Sequence, residues 1–185
     1  VDVKELNPSS ESLLLIKLES NVIATMGDKF ILRTFSPLST IGGGTVVDIF
    51  ADAKWKQNKI DIMNLKDLND NRIKIYMIGS QKFKPLSYEE SRIRFGLGDT
   101  QIDDFVNLNS DSQIIKYKSK VWLVLKPQLE ECKNKIVQIL KSSEGKYDIG
   151  LSKSLILQKT NGDEKFIDYL LADLQTSNIV YKKNE

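Results

Sequence analysis

The hydrophobic pattern divides the chain into a strand-rich beginning and a helical remainder. Short apolar or alternating runs rich in β-branched residues predict strands within residues 1–50, at Leu13–Leu18, Val22–Thr25, Lys29–Arg33 and Thr45–Ile49. Gly27-Asp28 predicts a hairpin turn between the second and third of these strands. Three consecutive glycines, Gly42–Gly44, precede the last strand, where glycine indicates a bulge or a close approach of another backbone.

From about residue 58 onward the spacing of apolar residues becomes helical. Ser87 and Glu90 have the spacing of a capping box ahead of a short helix that should end near Gly96. Asp99 can cap the next helix, whose predicted apolar face consists of Ile102, Phe105 and Val106. Alternation then predicts a β-hairpin, with strands Ile114–Tyr117 and Val121–Leu125 around a turn at Lys118-Ser119.

A second helical segment follows. Pro127 suits the first turn of one helix, and Ser152 and Asp163 can cap two more. The predicted apolar faces of these helices are Leu129, Cys132, Ile136, Ile139 and Leu140, then Leu155–Leu157, then Phe166, Ile167, Leu170, Leu171 and Leu174. A last strand is predicted at Ile179–Tyr181.

The two helical segments repeat each other at a constant offset along the chain. Ile102-Asp103 matches Ile167-Asp168, and Phe105-Val106 matches Leu170-Leu171. Helices followed by a β-hairpin are typical of a winged-helix domain, which is a helix-turn-helix variant. We therefore predict two tandem winged-helix domains, at residues 57–125 and 126–185, with the second truncated in its wing.

The stretch around the glycines carries a family resemblance. Residues 27–49 resemble the last strands of the third, barrel-shaped domain of elongation factor Tu-like GTPases. The positions that fill that family's pattern are Phe30, Arg33, Thr40, Gly42, Gly43 and Gly44, with Val46 and Val47 after them. Thr40-Ile41 before the glycines, and Ser36-Pro37 in the preceding loop, are most similar to the bacterial selenocysteine-specific branch of this family.

The resemblance implies a fold class and a role. The fold would be α+β, with the end of a barrel domain in residues 1–56 followed by the two winged-helix domains. The full-length relative would be a cytoplasmic GTPase that uses GTP and Mg²⁺ and delivers selenocysteinyl-tRNA to the ribosome at UGA codons marked by an mRNA hairpin. This piece would have no cofactor and no enzymatic activity of its own, and would link the tRNA-binding barrel to the RNA-reading tip. Its unpaired barrel edges could also pair two copies into a homodimer.

Composition narrows the chemistry. The chain of 185 residues has a net charge of +2, no histidine and one cysteine. Histidine-based acid–base catalysis and histidine-ligated metal sites are therefore excluded, and one cysteine cannot build a thiolate zinc site. A single cysteine fits a reducing cytosolic compartment, and the sequence contains no apolar run long enough to span a membrane.

One motif is misleading. Asn58–Asp61 reads Asn-Lys-x-Asp, which is the guanine-reading motif of GTPases. No G-x-x-x-x-G-K-[ST] loop occurs in the sequence to hold the phosphates, and the motif follows the barrel segment instead of preceding it. We interpret it as a chance occurrence, which disfavours a stand-alone GTPase.

The candidate RNA-contacting residues are basic. Lys116, Lys118 and Lys120 alternate in the hairpin and are predicted to share one face, opposite Tyr117, with Arg92 and Arg94 on the helix before. Together they could contact an RNA backbone, although lysines also serve to protect a sheet edge from aggregation.

The third helices of the two segments are acidic. They carry Asp99, Asp103 and Asp104 in the first segment, and Asp163, Glu164, Asp168 and Asp173 in the second. Acidic helices repel phosphate, which argues against the alternative function of a tandem winged-helix DNA-binding regulator. Solvated faces of structural helices are the simpler interpretation.

Overall fold

The computed structural model describes residues 7–50, 70–142 and 151–181. The motif at Asn58–Asp61, the predicted boundary at residues 56 and 57, and the start of the predicted helical pattern lie outside these described residues. Within them the chain is mixed α and β, and its sheets are a two-stranded and a three-stranded one that do not close into a barrel. No helix among the described residues has the length and apolar character needed to cross a membrane.

The described residues divide into two compact bodies. The first comprises residues 7–50, 70–74 and 92–98, and the second comprises residues 75–91, 99–142 and 151–181.

The first body contains an antiparallel pair, β1 (Lys29–Arg33) and β2 (Thr40–Thr45). The predicted strands at Leu13–Leu18, Val22–Thr25 and Thr45–Ile49 are wrong, because strand structure in residues 7–50 is confined to β1 and β2. The glycines lie inside β2 and do not precede a strand.

The turn at Gly27-Asp28 explains why β1 pairs with β2. The Thr25 N–H donates to the Asp28 carboxylate at 2.8 Å, and Gly27 has a φ of +96°, which closes a tight local turn. The Gly27 N–H then donates to the Val46 carbonyl, and the Val46 N–H donates to the Asp28 carbonyl, both at 2.8 Å. The turn is therefore attached to the residue after β2, and residues 22–25 do not form the predicted hairpin with β1.

A first helical module, defined as residues 70–125, follows the order helix, strand, helix, helix, hairpin. Its elements are α1 (Asp70–Ser80), β3 (Leu86–Ser87), α2 (Tyr88–Phe95), α3 (Asp99–Leu108), β4 (Ser112–Tyr117) and β5 (Lys120–Leu125). The three strands form an antiparallel sheet in the order β3-β5-β4. The predicted capping box is confirmed, since the Ser87 N–H donates to the Glu90 carboxylate at 2.8 Å and the Glu90 N–H donates to the Ser87 hydroxyl at 3.1 Å.

A second helical module, defined as residues 126–181, contains α4 (Lys126–Lys141), α5 (Lys153–Thr160) and α6 (Glu164–Thr176). The predicted caps are confirmed, because the Ser152 hydroxyl accepts from the Leu155 N–H and the Asp163 carboxylate accepts from the Phe166 N–H. When α2 is shifted by the offset of the sequence repeat, its first and last residues coincide with those of α5. The same shift places the first residue of α3 on the first residue of α6. The sequence repeat is therefore a repeat of helices.

The predicted strand at Ile179–Tyr181 is wrong, because its backbone closes the end of α6. Asn178 adopts a left-handed φ of +56°. The Asn178 N–H donates to the Gln175 carbonyl at 3.0 Å, and the Ile179 N–H donates to the Leu174 carbonyl at 2.9 Å. This pair of bonds is a Schellman motif, which uses the amide groups that a strand would offer to a partner.

The sheet of the first module is covered on both faces. Ile115, Trp122 and Val124 share one face by register, and all three belong to a buried cluster with residues of α4, α5 and α6. Leu123 points to the other face and is fully buried, and on that face the Leu125 side chain packs against Gly79 of α1. The two modules therefore share one sheet, and the second module occupies a face that would otherwise meet water.

Candidate nucleic-acid interface

The predicted basic surface lies at the tip of the β4–β5 hairpin. Lys116, Lys118 and Lys120 are exposed, and Lys118 occupies a two-residue turn with a left-handed φ of +53°. In the described part of the chain, none of these three lysines forms an ion pair with a carboxylate. We call Lys116, Lys118 and Lys120 the basic tip.

The prediction that the three lysines share one face is wrong. Lys116 lies opposite Val121, whereas Lys120 lies opposite Tyr117. Opposed residues share a face, so Lys116 and Lys120 project from opposite faces of the hairpin. The alternation that holds along one strand does not continue across a two-residue turn, because the chain reverses there. The basic tip therefore presents positive charge around the end of the hairpin.

Tyr117 is also placed differently from the prediction. The Lys118 ammonium lies 5.1 Å from the centroid of the Tyr117 ring, which is a cation–π distance. Tyr117 in turn contacts Tyr169 of α6 edge-on, with centroids 5.7 Å apart. Tyr169 stacks on Phe166 at 6.1 Å, and Phe166 contacts Trp122 edge-on at 5.4 Å.

The rings of these residues form a row that attaches the tip of the first module to the third helix of the second. In order, the row consists of Tyr117, Tyr169, Phe166 and Trp122. Burial raises the pKa of Tyr169, and the nearby Asp173 carboxylate adds to the rise. The Tyr169 hydroxyl therefore stays protonated at neutral pH. No local pattern in the sequence indicates the row, because Tyr117 and Tyr169 lie in different modules and only the fold brings them together.

One of the two predicted arginines, Arg94, is paired within the first body. Arg92 and Arg94 belong to the first body, whereas the lysines belong to the second. The Arg94 guanidinium makes a bidentate pair with the Asp48 carboxylate, at 2.9 Å from Nε and 2.6 Å from Nη2. Both side chains are largely buried, so this charge is already neutralised within the protein. Arg92 is half-buried.

The glycine motif has a packing role. A Cβ on Gly43 would lie 2.6 Å from the Phe30 carbonyl oxygen, and one on Gly44 would lie 2.8 Å from the Phe30 ring, whereas Gly42 has open space. Arg33 pairs with Thr40 and Leu32 pairs with Gly42, so Ile41 is the extra residue of a β-bulge. The expected close backbone approach is confirmed at Gly43, and the expected bulge lies next to Gly42.

The acidic residues of α6 are used within the second module. Asp163 caps the helix. The Lys153 ammonium of α5 contacts Glu164 at 2.8 Å and Asp168 at 3.0 Å, and the Lys133 ammonium of α4 contacts Asp173 at 2.7 Å. These carboxylates therefore hold α6 against α4 and α5. On α3, in contrast, Asp99, Asp103 and Asp104 are exposed.

The ion pairs shift the pKa values of their members. The hydrogen bond from Lys153 lowers the pKa of Glu164, and the bonds to Glu164 and Asp168 raise the pKa of Lys153. Burial alone would lower the pKa of Lys133, but its hydrogen bonds to Asp173 and Glu130 outweigh burial and raise it. Lys133, Lys153 and Glu164 are therefore charged at neutral pH.

A groove of about 480 Å³ runs beside the hairpin. It contains Lys84 and Lys120 together with Glu89, Glu90 and Asp163. Because these charges are mixed, and because Glu90 and Asp163 already cap helices, the groove does not have the uniform positive charge that a phosphate site needs.

The described ranges contain no group of three histidine, cysteine, aspartate or glutamate residues arranged to hold a metal ion. Burial raises the pKa of the Cys132 thiol to about 12, with the Glu131 charge as a second cause, so this thiol is not a reactive thiolate. The sequence lacks the G-x-x-x-x-G-K-[ST] loop that holds nucleotide phosphates in P-loop proteins.

Comparison with protein-family models finds no match, and comparison with curated proteins finds none either. A solved structure similar to this chain is the crystal structure of a bacterial selenocysteine-specific elongation factor, EF-Sec, with 22% sequence identity and a TM-score of 0.55. The match covers 86% of this chain and 25% of that chain, so this chain spans about a quarter of its relative's length. At this identity the likeness is one of fold.

Proposed function

We propose that this chain acts as a connecting segment in a bacterial selenocysteine-specific elongation factor. The observation that carries the proposal is the fold match to such a factor over 86% of the chain. The strand pattern around Gly42–Gly44 independently resembles the barrel domain of the same family. In the full-length protein, other parts would bind GTP and Mg²⁺, selenocysteinyl-tRNA and the mRNA hairpin, in the cytoplasm.

We further assign both helical modules to the winged-helix class. The support is the element order of the first module and its sheet order β3-β5-β4, in which the strand before α2 pairs with the second hairpin strand. The second module repeats α2 and α3 at the same spacing.

The role of these modules would be to set distance and orientation between the tRNA-carrying part and the RNA-reading part of the factor. The support is the shared sheet, because Trp122 and Val124 of the first module are buried among side chains of the second. Two modules with one core cannot swing freely about their connection. A stiff connector transmits a change of position at one end to the other.

The basic tip would contact an RNA backbone weakly. Its three lysines are exposed at the end of a hairpin, and the Lys118 ammonium makes a cation–π contact with the Tyr117 ring. Lysine contacts to phosphates supply affinity without sequence preference and release counterions. With three such contacts, the logarithm of affinity should fall with the logarithm of salt concentration with a slope of roughly −2 to −3.

The alternative, a tandem winged-helix DNA-binding regulator, is not favoured. In such regulators the third helix of each module enters the major groove. Here the third helix α6 carries carboxylates committed to ion pairs with Lys133 and Lys153, and α3 exposes three aspartates. Negative groups at those positions repel DNA phosphates.

The experiment is a binding titration of this chain with a tRNA, an mRNA hairpin and a random DNA duplex, at low and at high salt. The expected result is weak, sequence-independent and salt-sensitive binding to RNA. Replacing Lys116, Lys118 and Lys120 by Gln should abolish it. Replacing Lys135, Lys141 and Lys159, which are also exposed, is the matched control and should leave it largely intact. Tight binding to the DNA duplex would contradict the proposal and favour the regulator.

A further inference from the structure

Each helical module contains a corner between its second and third helices, and each corner contains a glycine. Gly96 ends α2 in the first module, and Gly162 lies between α5 and α6 in the second. Here both corners are in close contact with a turn from another part of the chain.

The second corner is filled by the turn that follows α1, which we call the Lys82–Lys84 turn. A Cβ on Gly162 would lie 3.0 Å from the Phe83 Cβ and 3.2 Å from the Ile167 side chain. The Asp163 N–H donates to the Phe83 carbonyl at 2.8 Å, and the Lys84 ammonium lies 3.4 Å from the Asn161 side-chain oxygen. The turn thus packs so closely on the backbone of the corner that a Cβ at residue 162 would require Phe83 or Ile167 to shift by a few tenths of an ångström.

A buried glutamine holds the same turn from its other side. Gln128 of α4 is 4% exposed. Its amide nitrogen donates to the Lys82 carbonyl at 2.9 Å, and its amide oxygen accepts from the Leu125 N–H at 3.2 Å. Because a buried amide is costly unless it is hydrogen-bonded, this geometry favours the docked turn over an open one.

The first corner shows the same arrangement with a different turn. Gly96 has a φ of +62°, and a Cβ there would lie 3.0 Å from the Thr25 Cβ. Thr25 belongs to a turn that is closed by the hydrogen bond from the Thr25 N–H to the Asp28 carboxylate. The Arg94–Asp48 pair lies just before this corner in the chain.

We propose that the glycine corner of each module is a docking site for a turn of protein chain, and that its role is to fix one segment of the chain against the next. The occupant of the second corner is the Lys82–Lys84 turn, and the occupant of the first is the Thr25–Asp28 turn. The docking involves contacts within the chain alone, so it does not depend on a role in translation.

The test is amide hydrogen exchange at the second corner, read at Asp163 and across α5 and α6. Gly162→Ala places a methyl 3.0 Å from the Phe83 Cβ, so the turn must shift, and exchange at Asp163 should rise. Gly42→Ala is the matched control, because a Cβ there meets nothing within 4 Å, and should leave exchange at the corner unchanged.

A second pair of variants keeps the test decisive if Gly162→Ala fails to fold. Phe83→Ala should raise exchange at Asp163 by a similar factor, whereas Phe35→Ala, at a fully exposed phenylalanine, should not. Exchange at Asp163 that stays within twofold of the parent in Phe83→Ala would overturn the proposal. The RNA affinity of the basic tip should be the same in Phe83→Ala and the parent, so this outcome is separable from the proposed function.

Discussion

At the scale of single residues, the structure decides which of the glycines in the run Gly42–Gly44 are needed for packing. Gly43 and Gly44 face the Phe30 backbone and ring, whereas Gly42 faces open space. Three neighbouring glycines therefore differ in what they contribute, and only two of them are required by packing. The sequence indicates a close approach but not which glycine makes it, because that depends on the register with β1.

Gly43→Ala should weaken the β1–β2 pair, because its Cβ would lie 2.6 Å from the Phe30 carbonyl oxygen, and the strands must move apart. Overpacking of this kind costs about 1–3 kcal/mol. Amide exchange of β1 and β2 measures the effect. Gly42→Ala is the control and should change exchange little; equal effects of the two substitutions would contradict the packing role of Gly43.

The Lys153 ion pairs should give the second module a defined pH dependence. The pKa of Glu164 is lowered from 4.5, so its contribution is present above that value and is lost as pH falls through the lower folded-state pKa. The pKa of Lys153 is raised from 10.5, so its contribution is present below that value and is lost as pH rises through the higher one.

The stability difference between the parent and Lys153→Met should therefore be level from about pH 5 to pH 10 and shrink outside that range. The difference should be small, because the pair is exposed and screened by solvent. Denaturant unfolding across pH measures it, with Lys159→Met on the same helix as the control. A difference that grows toward acid pH would contradict this assignment.

At the scale of elements, the three helix caps and the β4–β5 hairpin are the sequence predictions that are confirmed. The caps at Ser87, Ser152 and Asp163 are predictable because a helix start is decided by side chains and amides within its first turn. The β4–β5 hairpin is predictable from its alternation. The partner of β1 is not predictable in this way, because the turn before β1 bonds to Val46, which is distant along the chain. The end of α6 is local, but the apolar run at Ile179–Tyr181 resembles a strand and hides the left-handed turn at Asn178 that closes the helix.

In the candidate site, too, local features are predictable from the sequence and long-range partners are not. The sequence locates the lysines of the basic tip, but not their faces, which the two-residue turn decides. It does not reveal that Asp48, distant along the chain, neutralises Arg94, or that Tyr169 supports Tyr117. Long-range partners have no local signature in a single sequence.

Trp122 tests whether the sheet belongs to both modules. The Trp122 side chain is 3% exposed and contacts Phe166 of α6. Trp122→Ala should cost about 3–5 kcal/mol in the free energy of unfolding, as large aromatic truncations in a core do. Hydrogen exchange should rise in α6 as well as in β4 and β5. Tyr181→Ala, at an exposed aromatic residue, is the control, and a rise confined to the first module would contradict a shared core.

At the scale of the whole molecule, the two helical modules behave in our account as one stiff connector. Their helices repeat at a fixed spacing, yet the modules are joined by a common sheet, a row of aromatic rings and the docked Lys82–Lys84 turn. These shared contacts limit the motion of one module against the other, as the proposed connecting role requires. The exposed edges of β1 and β2 leave pairing of two copies as a prediction that light scattering can test.

The most direct test of the connector is backbone ¹⁵N relaxation in solution, compared between β4–β5 of the first module and α4–α6 of the second. If the modules form one body, the backbone amides of these strands and helices should report a single rotational correlation time and the same diffusion axes. Two distinct correlation times, or independent axes for the two modules, would contradict the account.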